Sequence, residues 1–322
     1  DTRTIKKTPN IFPPGHIIMQ GKGPAPAQPG APGGPACQQG NNSGCPGYNE
    51  PEGTARIRGG IPRALCFIIF SVDPDRIVVF LSDFGPSSHY VGQVKGVLAG
   101  LPVVDLCHDI PPEDIRAGAY VLFTSWKYFP VGSVFLAVVD PGVGTTRKAL
   151  AAFWNNYFFV APDNGLLSPF MGDDFRAVEI PVPAEASPTF HARDVFAPAA
   201  RRLALGESLE NLGQPCLSPI CCAFLSPRET GEGIRGRVIL RDRFGNLITD
   251  VPAAMLEGKD FAVMAGGREI ALARTYGDVE PGQALALIGS GGFLELSVRD
   301  GDAAEALSLS VGDVVEVIWK KM

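Results

Sequence analysis

The stretch RIVVFLSDFG, residues 76–85, opens the region that decides the fold. Its run IVVFLS is β-branched and nearly all apolar, which is typical of a strand buried on both faces of a sheet. Similar runs recur as VVDLC (103–107), SVFLAVVD (133–140) and NYFFVAPD (156–163). The sequence therefore predicts four buried strands in this part of the chain.

Helical patterns separate the first three of these strands. They read YVGQVKGVLAG (90–100) and PPEDIRAGAYVLFTSWKYF (111–129), and the second opens with proline, which suits a first helical turn. A third helix is predicted in DVFAPAARRLALG (194–206), which ends in a glycine suited to a C-cap. Strands that alternate with helices of this length predict a mainly parallel sheet covered by helices on both faces, in an α/β domain over residues 76–206.

The pattern changes after residues 207–232, which we interpret as a linker. The following residues form short apolar runs separated by Gly and Asp turns, a spacing that indicates a small barrel or sandwich. We expect a β-barrel-like domain over residues 233–322, built from the stretches GRVILRDRFGNLITDV, DFAVMAGGREIALA, QALALIGSGGFLELSV and VGDVVEVIWKK.

The N-terminal segment has a different composition. Its first 62 residues contain 23 Pro or Gly and show no apolar periodicity, so they bury too little surface to offset the entropy of ordering. Residues 1–75 are predicted to be a disordered Pro/Gly-rich tail.

The net charge and the hydropathy of the chain limit the kinds of molecule that it is expected to bind. The net charge of −6 disfavours electrostatic binding to nucleic acid or anionic lipid, and no run approaches the ~20 apolar residues that span a bilayer. The seven cysteines show no spacing suited to zinc. We expect a cytoplasmic protein that binds a small molecule, with no nucleic acid and no membrane among its partners.

Three predicted strands end in an aspartate. Asp83 follows IVVFLS, Asp140 follows VFLAVV and Asp163 follows YFFVAP. Ligands of open parallel sheets bind at the carboxyl ends of strands, so these residues predict a pocket at one sheet edge. Aspartate also favours turns and helix caps, which is the structural alternative for each.

Two further segments carry candidate catalytic groups. The proline and glycines of DPGVGTTR (140–147) allow a tight turn that carries Asp140 and Arg147 to one place, unless the turn holds only an incidental ion pair. This segment lacks the Lys-Ser/Thr ending of a P-loop and the spacing of a dinucleotide fingerprint. His191 lies just before a predicted helix start, with Asp194 suited to capping. Taken alone, such a histidine is more often a surface or capping residue than a catalyst.

Together these segments resemble the S-adenosylmethionine (SAM) hydroxide adenosyltransferases, also called SAM hydrolases, which are relatives of fluorinase and chlorinase. The resemblance covers nearly everything from residue 76 to residue 322. It implies an α/β domain, a β-barrel-like domain and a homotrimer, with substrate between the α/β domain of one subunit and the β domain of its neighbour. The matching stretches run in order as SDFG, YVGQVKGV, HDIPPEDIRAGAYVL, YFPVGSVFLAVVDPGVGTTR, VAPDNGLLSP, FHARDVFAPAA, DRFGNLITD and GSGGFLELSV.

The resemblance also implies a set of site residues. Asp140, Arg147 and His191 match the triad associated with water activation, and Asp83 of SDFG matches the carboxylate that holds the ribose hydroxyls. In the β domain, FGN and SGG have hairpin-turn and loop-bending roles as their structural alternatives. The matches there are Asp242 to the methionine ammonium, Asn246 to adenine, and Ser290, Glu295 and the backbone of Val298 to further parts of the substrate.

The implied reaction is hydrolysis of SAM to adenosine and L-methionine by attack of water at C5′. Because the sulfonium already activates this bond, we expect no cofactor and no metal. Arg147 stays protonated and can stabilise a developing hydroxide. His191 is the better proton acceptor at neutral pH, and Asp140 orients Arg147 or the water.

Three alternatives remain open. One is a halide-using adenosyltransferase, although such relatives lack the Arg-His pair, and fluorinases insert a loop where only a few residues separate Tyr128 from Ser133 here. Another is a non-catalytic protein that binds SAM or adenosine. The third is a metal cluster in HDIPPED (108–114), whose prolines and acids also fit the entry of a helix.

Overall fold

The structure, a computed structural model, describes residues 76–222 and 225–320. The disordered tail predicted for residues 1–75 lies outside the described residues. In the described part, no helix is long and apolar enough to cross a membrane.

The first sheet has seven strands in the order β2-β1-β3-β5-β4-β6-β7. The strands are β1 (Val78–Ser82), β2 (Val103–Cys107), β3 (Val134–Val138), β4 (Ala149–Trp154), β5 (Tyr157–Pro162), β6 (Arg176–Ile180) and β7 (Gln214–Pro215). β2, β1, β3 and β5 are parallel, and they are the four strands predicted from the apolar runs. β4, β6 and β7 extend the sheet with antiparallel pairing.

Helices cover both faces of this sheet, as predicted. Val78 and Phe80 of β1 pack on the face covered by α1 and α3, whereas Val79 and Leu81 point to the face covered by α2. This alternation follows from the two-residue period of a strand. The α/β fold class is therefore confirmed. The helices are α1 (His89–Val97), α2 (Ile115–Ser125) and α3 (Ala197–Ala204).

The third helical segment starts earlier than predicted. A π-helical turn, Ala192–Phe196, leads directly into α3, and His191 occupies its N-cap position. Asp194 is not the cap, because its carboxylate accepts a hydrogen bond from Ser187 N–H at 2.9 Å and pairs with Arg193. The aspartate therefore holds the loop before the helix, and π-helical turns of this kind are frequent at functional sites.

The C-terminal sheet closes into a barrel. Its order is β10-β14-β13-β12-β11-β15-β9-β8, and pairing of β10 with β9 closes a ring of seven strands, with β8 added outside the ring. Apolar side chains from all parts of the ring fill its interior. The elements are β8 (Arg228–Thr230), β9 (Gly233–Arg241), β10 (Leu247–Pro252), β11 (Phe261–Ala265), β12 (Arg268–Leu272), β13 (Ala284–Ile288), β14 (Phe293–Val298), α4 (Ala303–Leu307) and β15 (Val314–Trp319).

Two features connect the α/β part to the barrel. The segment predicted as a linker, 207–232, contributes β7 to the first sheet and β8 to the barrel. Helix α2 contacts the barrel directly, with the ring of Tyr120 packed edge-on against Phe293 at 5.4 Å. These contacts bury one side of α2 against the sheet and another against the barrel.

Candidate functional site

Asp140, Arg147 and His191 meet at the carboxyl end of β3. Arg147 donates through Nε to Asp140 Oδ1 at 2.8 Å and through Nη2 to Asp140 Oδ2. The same Nη2 lies 3.0 Å from His191 Nδ1, and the guanidinium sits over the ring of Phe196 at 5.0 Å. The side chains of the ion pair are each only 7% exposed, so this cluster is largely shielded from water.

A glycine turn brings this loop to the histidine. Gly144 has φ +75°, a left-handed conformation that costs other residues energy. A Cβ atom at this position would lie 2.5 Å from the carbonyl oxygen of Pro188. Only glycine therefore allows the 140–147 loop to pack against the segment that carries His191.

The hydrogen bond from Arg147 decides the tautomer of His191. Guanidinium has only donors, so Nδ1 must accept, and the neutral ring carries its proton on Nε2. Burial, followed by the charge of Arg147, lowers the pKa of His191, although the charges of Asp140 and Asp194 oppose the shift. The imidazole is therefore held neutral and is a donor at Nε2. In this geometry the Nδ1 lone pair faces Arg147, so the role of His191 as proton acceptor stays a prediction.

The other end of the imidazole carries an unused donor. Within the described residues His191 Nε2 makes no hydrogen bond, and the histidine is 6% exposed. The Nη1 group of Arg147 makes one long contact, of 3.4 Å, to the carbonyl of Lys148. Two N–H donors, one on His191 and one on Arg147, are thus available to a small polar molecule.

Asp83 lies at the end of β1, next to β3 in the sheet. Its Oδ2 accepts a hydrogen bond from the backbone N–H of Glu113 at 2.9 Å. Burial raises the pKa of Asp83, and the negative charge of Asp140 adds to this effect, against the backbone hydrogen bonds, which lower it. The structure therefore places Asp83 in the electrostatic neighbourhood of the triad.

The third polar strand end has a structural role. Asp163 is buried, and its Oδ1 accepts a hydrogen bond from Ile220 N–H at 2.7 Å. Asn164 donates to the carbonyl of Val139 at 2.8 Å and so ties β5 to the end of β3. Of the three strand-end aspartates, Asp163 thus holds a distant backbone segment, and the pocket predicted at this edge stays a prediction.

Asp242 and Asn246 form the turn between β9 and β10. Asp242 Oδ1 accepts from the N–H groups of Phe244 and Asn246, and Oδ2 accepts from the Asn246 side-chain amide, all at 2.9 Å. This arrangement is the hairpin turn named as the structural alternative. It also orients the Asn246 amide, while Phe244 remains 81% exposed beside it.

The other barrel residues lie around β13 and β14. Ser290 is exposed in their connecting turn, and Val298 ends β14 opposite Ala284. Glu295 is buried and accepts hydrogen bonds from Tyr276 Oη at 2.7 Å and from Ser297 Oγ at 2.9 Å. Burial, together with the Glu295 carboxylate, raises the pKa of Tyr276. Hydrogen bonds thus hold each half of the predicted site internally, and within the described residues none joins the triad to this barrel group.

Two family models match this chain. The SAM hydroxide adenosyltransferase N-terminal domain matches residues 78–213, and the SAM hydroxide adenosyltransferase C-terminal domain matches residues 236–316. The chain belongs to the SAM hydroxide adenosyltransferase family.

Named relatives agree with this placement. An (R)-S-adenosyl-L-methionine hydrolase of Thermus thermophilus is 45% identical over 260 residues, which cover 76% of this chain and 100% of the relative. A fluorinase of Actinopolyspora mzabensis is 28% identical, covering 75% of this chain and 96% of the relative. The crystal structure of an uncharacterized conserved protein from Thermotoga maritima superposes with a TM-score of 0.69 at 36% identity, over 75% of this chain and 99% of that one.

In this SAM hydroxide adenosyltransferase family member, the sequence analysis missed an aromatic cluster beside the triad. The rings of Phe84, Tyr90 and Phe190 lie 4.9 to 6.0 Å apart, and Tyr90 is 44% exposed. Such rings offer an apolar wall to a planar ligand. Phe84 follows Asp83 and Phe190 precedes His191, and this adjacency was the available signal.

The residues of the metal alternative have other partners in this family member. His108 Nδ1 lies 2.8 Å from Ser82 Oγ, and the Asp114 carboxylate caps α2 by accepting from Ala117 N–H. Within residues 76–222 and 225–320, no group of three or more His, Cys, Asp or Glu side chains is arranged to hold a metal ion. The HDIPPED segment therefore forms the entry to a helix.

Proposed function

We propose that this chain hydrolyses S-adenosyl-L-methionine at C5′ to give adenosine and L-methionine. The observation that carries the proposal is the buried Asp140–Arg147–His191 cluster, which presents N–H donors to a small polar molecule. The family membership and the 45% identity to a named (R)-S-adenosyl-L-methionine hydrolase support the same reaction.

The proposed reaction depends more on the position of the attacking water than on a strong acid or base in the site. The leaving group is a neutral thioether, so departure from C5′ needs no protonation and no metal. The site must hold a water in line with the C5′–sulfur bond, with its lone pair aimed at carbon. The Nε2–H of His191 can donate to the water oxygen, which keeps its second lone pair for attack at C5′. The Arg147 guanidinium lies alongside and supplies positive charge.

The attacking oxygen loses its proton as the carbon–oxygen bond forms, so it carries hydroxide-like negative charge that Arg147 can stabilise. Solvent or a nearby carboxylate accepts this proton in the proposal. Asp140 keeps Arg147 in place through two hydrogen bonds and balances its charge. The triad in this proposal thus orders water and stabilises charge, with His191 as a neutral donor.

The remaining predicted residues hold the substrate in this proposal. Asp83, with one oxygen bound to Glu113 N–H, offers the other to the ribose hydroxyls. Asn246 and Asp242 on the barrel contact adenine and the methionine ammonium respectively. Ser290, Glu295 and the Val298 backbone make further contacts to methionine and adenosine. No cofactor takes part.

The assembly in this proposal is a homotrimer with sites between subunits. Two observations support it: the triad and the barrel group share no hydrogen bond within the described residues, and Phe244 at the barrel group is 81% exposed. A neighbouring subunit that brings its triad to this barrel edge would cover Phe244 and complete the site. Size-exclusion chromatography with light scattering tests this assembly, and we expect the mass of three chains.

Halide transfer is the competing reaction, since fluorinases are among the relatives. The Arg147–His191 pair disfavours it, because a halide needs donors on several sides and Nε and Nη2 of the guanidinium are already directed at Asp140 and His191. A binding protein without turnover would have no use for this buried charged cluster.

The deciding experiment is incubation with SAM in oxygen-18 water, with chloride and fluoride present, followed by chromatography and mass spectrometry. We expect labelled adenosine and L-methionine, a rate unchanged by chelator, and loss of product in His191→Ala. Because the relatives' names specify (R)-S-adenosyl-L-methionine, both epimers at sulfur are tested, and we expect preference for the (R) form. Detection of a 5′-halogenated adenosine would mean that the chain catalyses halide transfer instead of hydrolysis. Unchanged SAM would mean that the chain is a binding protein.

A further inference from the structure

A cavity of about 360 Å³ lies where the start of α2 meets the barrel strands β8, β9 and β10. None of its lining residues belongs to the candidate site described above. Its charged lining consists of four arginines and one aspartate, namely Arg116, Arg228, Arg235, Arg237 and Asp250.

The lining of this cavity has an excess of positive charge. Asp250 is one acidic partner, and Glu316 is a second, held 3.9 Å from Arg235 in an exposed ion pair. Four guanidiniums against two carboxylates leave a net charge of +2 (4 − 2), in a chain whose overall charge is −6. Like charges brought together in this way repel each other unless an anion joins them.

Two of the guanidiniums have unused donors. Within the described residues, the side chains of Arg116 and Arg228 donate no hydrogen bond, and Arg237 uses Nη1 on a neutral acceptor, the carbonyl of Gly312, at 2.8 Å. A guanidinium has five N–H donors in a fixed planar fork. The cavity therefore presents many N–H groups and few acceptors.

The acidic residue of the cavity lining is buried and closely packed. Asp250 is 5% exposed, and its Oδ1 accepts a hydrogen bond from Arg237 N–H at 2.7 Å. Gly236 lies beside it in β9, and a Cβ atom there would come within 2.7 Å of the same carboxylate oxygen. Glycine thus lets the strand backbone approach Asp250. Burial raises the pKa of Asp250, and the backbone hydrogen bond from Arg237 and the charges of Arg116 and Arg237 oppose this shift.

We infer that this cavity binds the phosphate groups of a small anion, with the arginines as its ligands. Guanidinium forks match phosphate oxygens in pairs and are favoured over lysine where such bidentate contacts matter. The volume exceeds what a single phosphate needs and suits a diphosphate, either free or attached to a nucleoside. The site is separate from the proposed SAM site and does not depend on the proposed hydrolysis.

The test is calorimetric titration of the full chain with inorganic pyrophosphate, ADP and adenosine. We expect binding of pyrophosphate that weakens as sodium chloride is raised, because the contacts are between charges. Arg228→Gln and Arg235→Gln each remove one guanidinium from an exposed side chain, so the fold is retained, and each should weaken binding about tenfold. Circular dichroism melting verifies that both variants are folded.

The matched control is Arg176→Gln. Arg176 lines a different cavity beside Asp173 and Asp174, so its loss should leave pyrophosphate binding unchanged. Arg147→Gln should also bind pyrophosphate normally, which separates this cavity from the triad. If ADP binds more tightly than pyrophosphate, and Arg228→Gln abolishes this additional affinity, the occupant is a nucleotide. Equal affinities for ADP and pyrophosphate identify the free anion as the occupant. Absence of pyrophosphate binding, or equal weakening in Arg176→Gln, would overturn the inference.

Discussion

Replacement of Arg147 by glutamine separates the stability of the triad from its chemistry. The side chains of Arg147 and Asp140 are each 7% exposed and joined by two hydrogen bonds. Arg147→Gln leaves the Asp140 carboxylate buried without its partner charge. Breaking a buried ion pair from one side costs about 3–5 kcal/mol of unfolding free energy.

The double variant Asp140→Asn/Arg147→Gln removes both charges together. The two amides can hydrogen-bond to each other, so we expect a smaller loss of about 1–2 kcal/mol, since a neutral replacement of a buried pair is often tolerated. For a folded part of this size, 1 kcal/mol shifts Tm by about 2–4 °C. The single variant should therefore melt about 10 °C below wild type and the double variant only about 4 °C below it.

Activity should follow a different order. Loss of a donor that stabilises developing charge lowers kcat about 10²- to 10³-fold, with little change in KM. Because the guanidinium is absent from both variants, kcat stays low in the double variant even though its stability recovers. Differential scanning calorimetry and a chromatographic assay of adenosine release measure the two quantities, with the exposed Arg176→Gln as the control.

Either of two results would refute this reasoning. Recovery of kcat in the double variant would mean that the charge of Arg147 is dispensable and that the cluster serves folding alone. Equal Tm values for the single and double variants would mean that Asp140 is not held by Arg147 in the way the hydrogen bonds indicate.

Two further predictions concern single groups of the site. Burial and Arg147 lower the pKa of His191 below its ordinary 6.5, so its contribution to stability is present above pH 6.5 and is lost as pH falls through the folded pKa. The kcat should therefore stay level from pH 8 to pH 6.5 and fall only below pH 6.5. An NMR titration of His191 with a midpoint above pH 6.5 would contradict this. Asp83→Ala should weaken SAM binding at least about tenfold by loss of charge-assisted hydrogen bonds to ribose, measured by calorimetry, while Asp83→Asn keeps an acceptor for Glu113 N–H and controls for local folding. Unchanged affinity in Asp83→Ala would remove this residue from the site.

The strands that the sequence predicted are those in which nearly every residue is apolar. β1, β2, β3 and β5 are runs of apolar residues, which a strand buried on both faces requires, so their prediction was confirmed. β4 was missed, because ALAAFW is rich in alanine, which has a low preference for strands. It forms a strand because β5 and β6 pair with it on either side.

Long-range partners limited the prediction of the site. Asp83 and Asp163 both follow buried strands and look alike in sequence. Their surroundings differ because Asp163 accepts from the backbone of Ile220, 57 residues later, whereas Asp83 accepts from the backbone of Glu113 and lies in the field of Asp140. No local pattern announces such a partner, since it depends on where a distant segment crosses the sheet edge.

What the sequence determined by itself is the α/β and barrel architecture, the family resemblance, and the proximity of Asp140 to Arg147 through a short turn of glycine and proline. The tertiary structure decided how these groups act. His191 lies 44 residues from Arg147, and their contact at 3.0 Å directs the Nδ1 lone pair of the imidazole at the guanidinium, while burial and that charge lower its pKa. Residue types set which charges are available, but a protonation state depends on burial and on the partner across space, which the fold alone supplies.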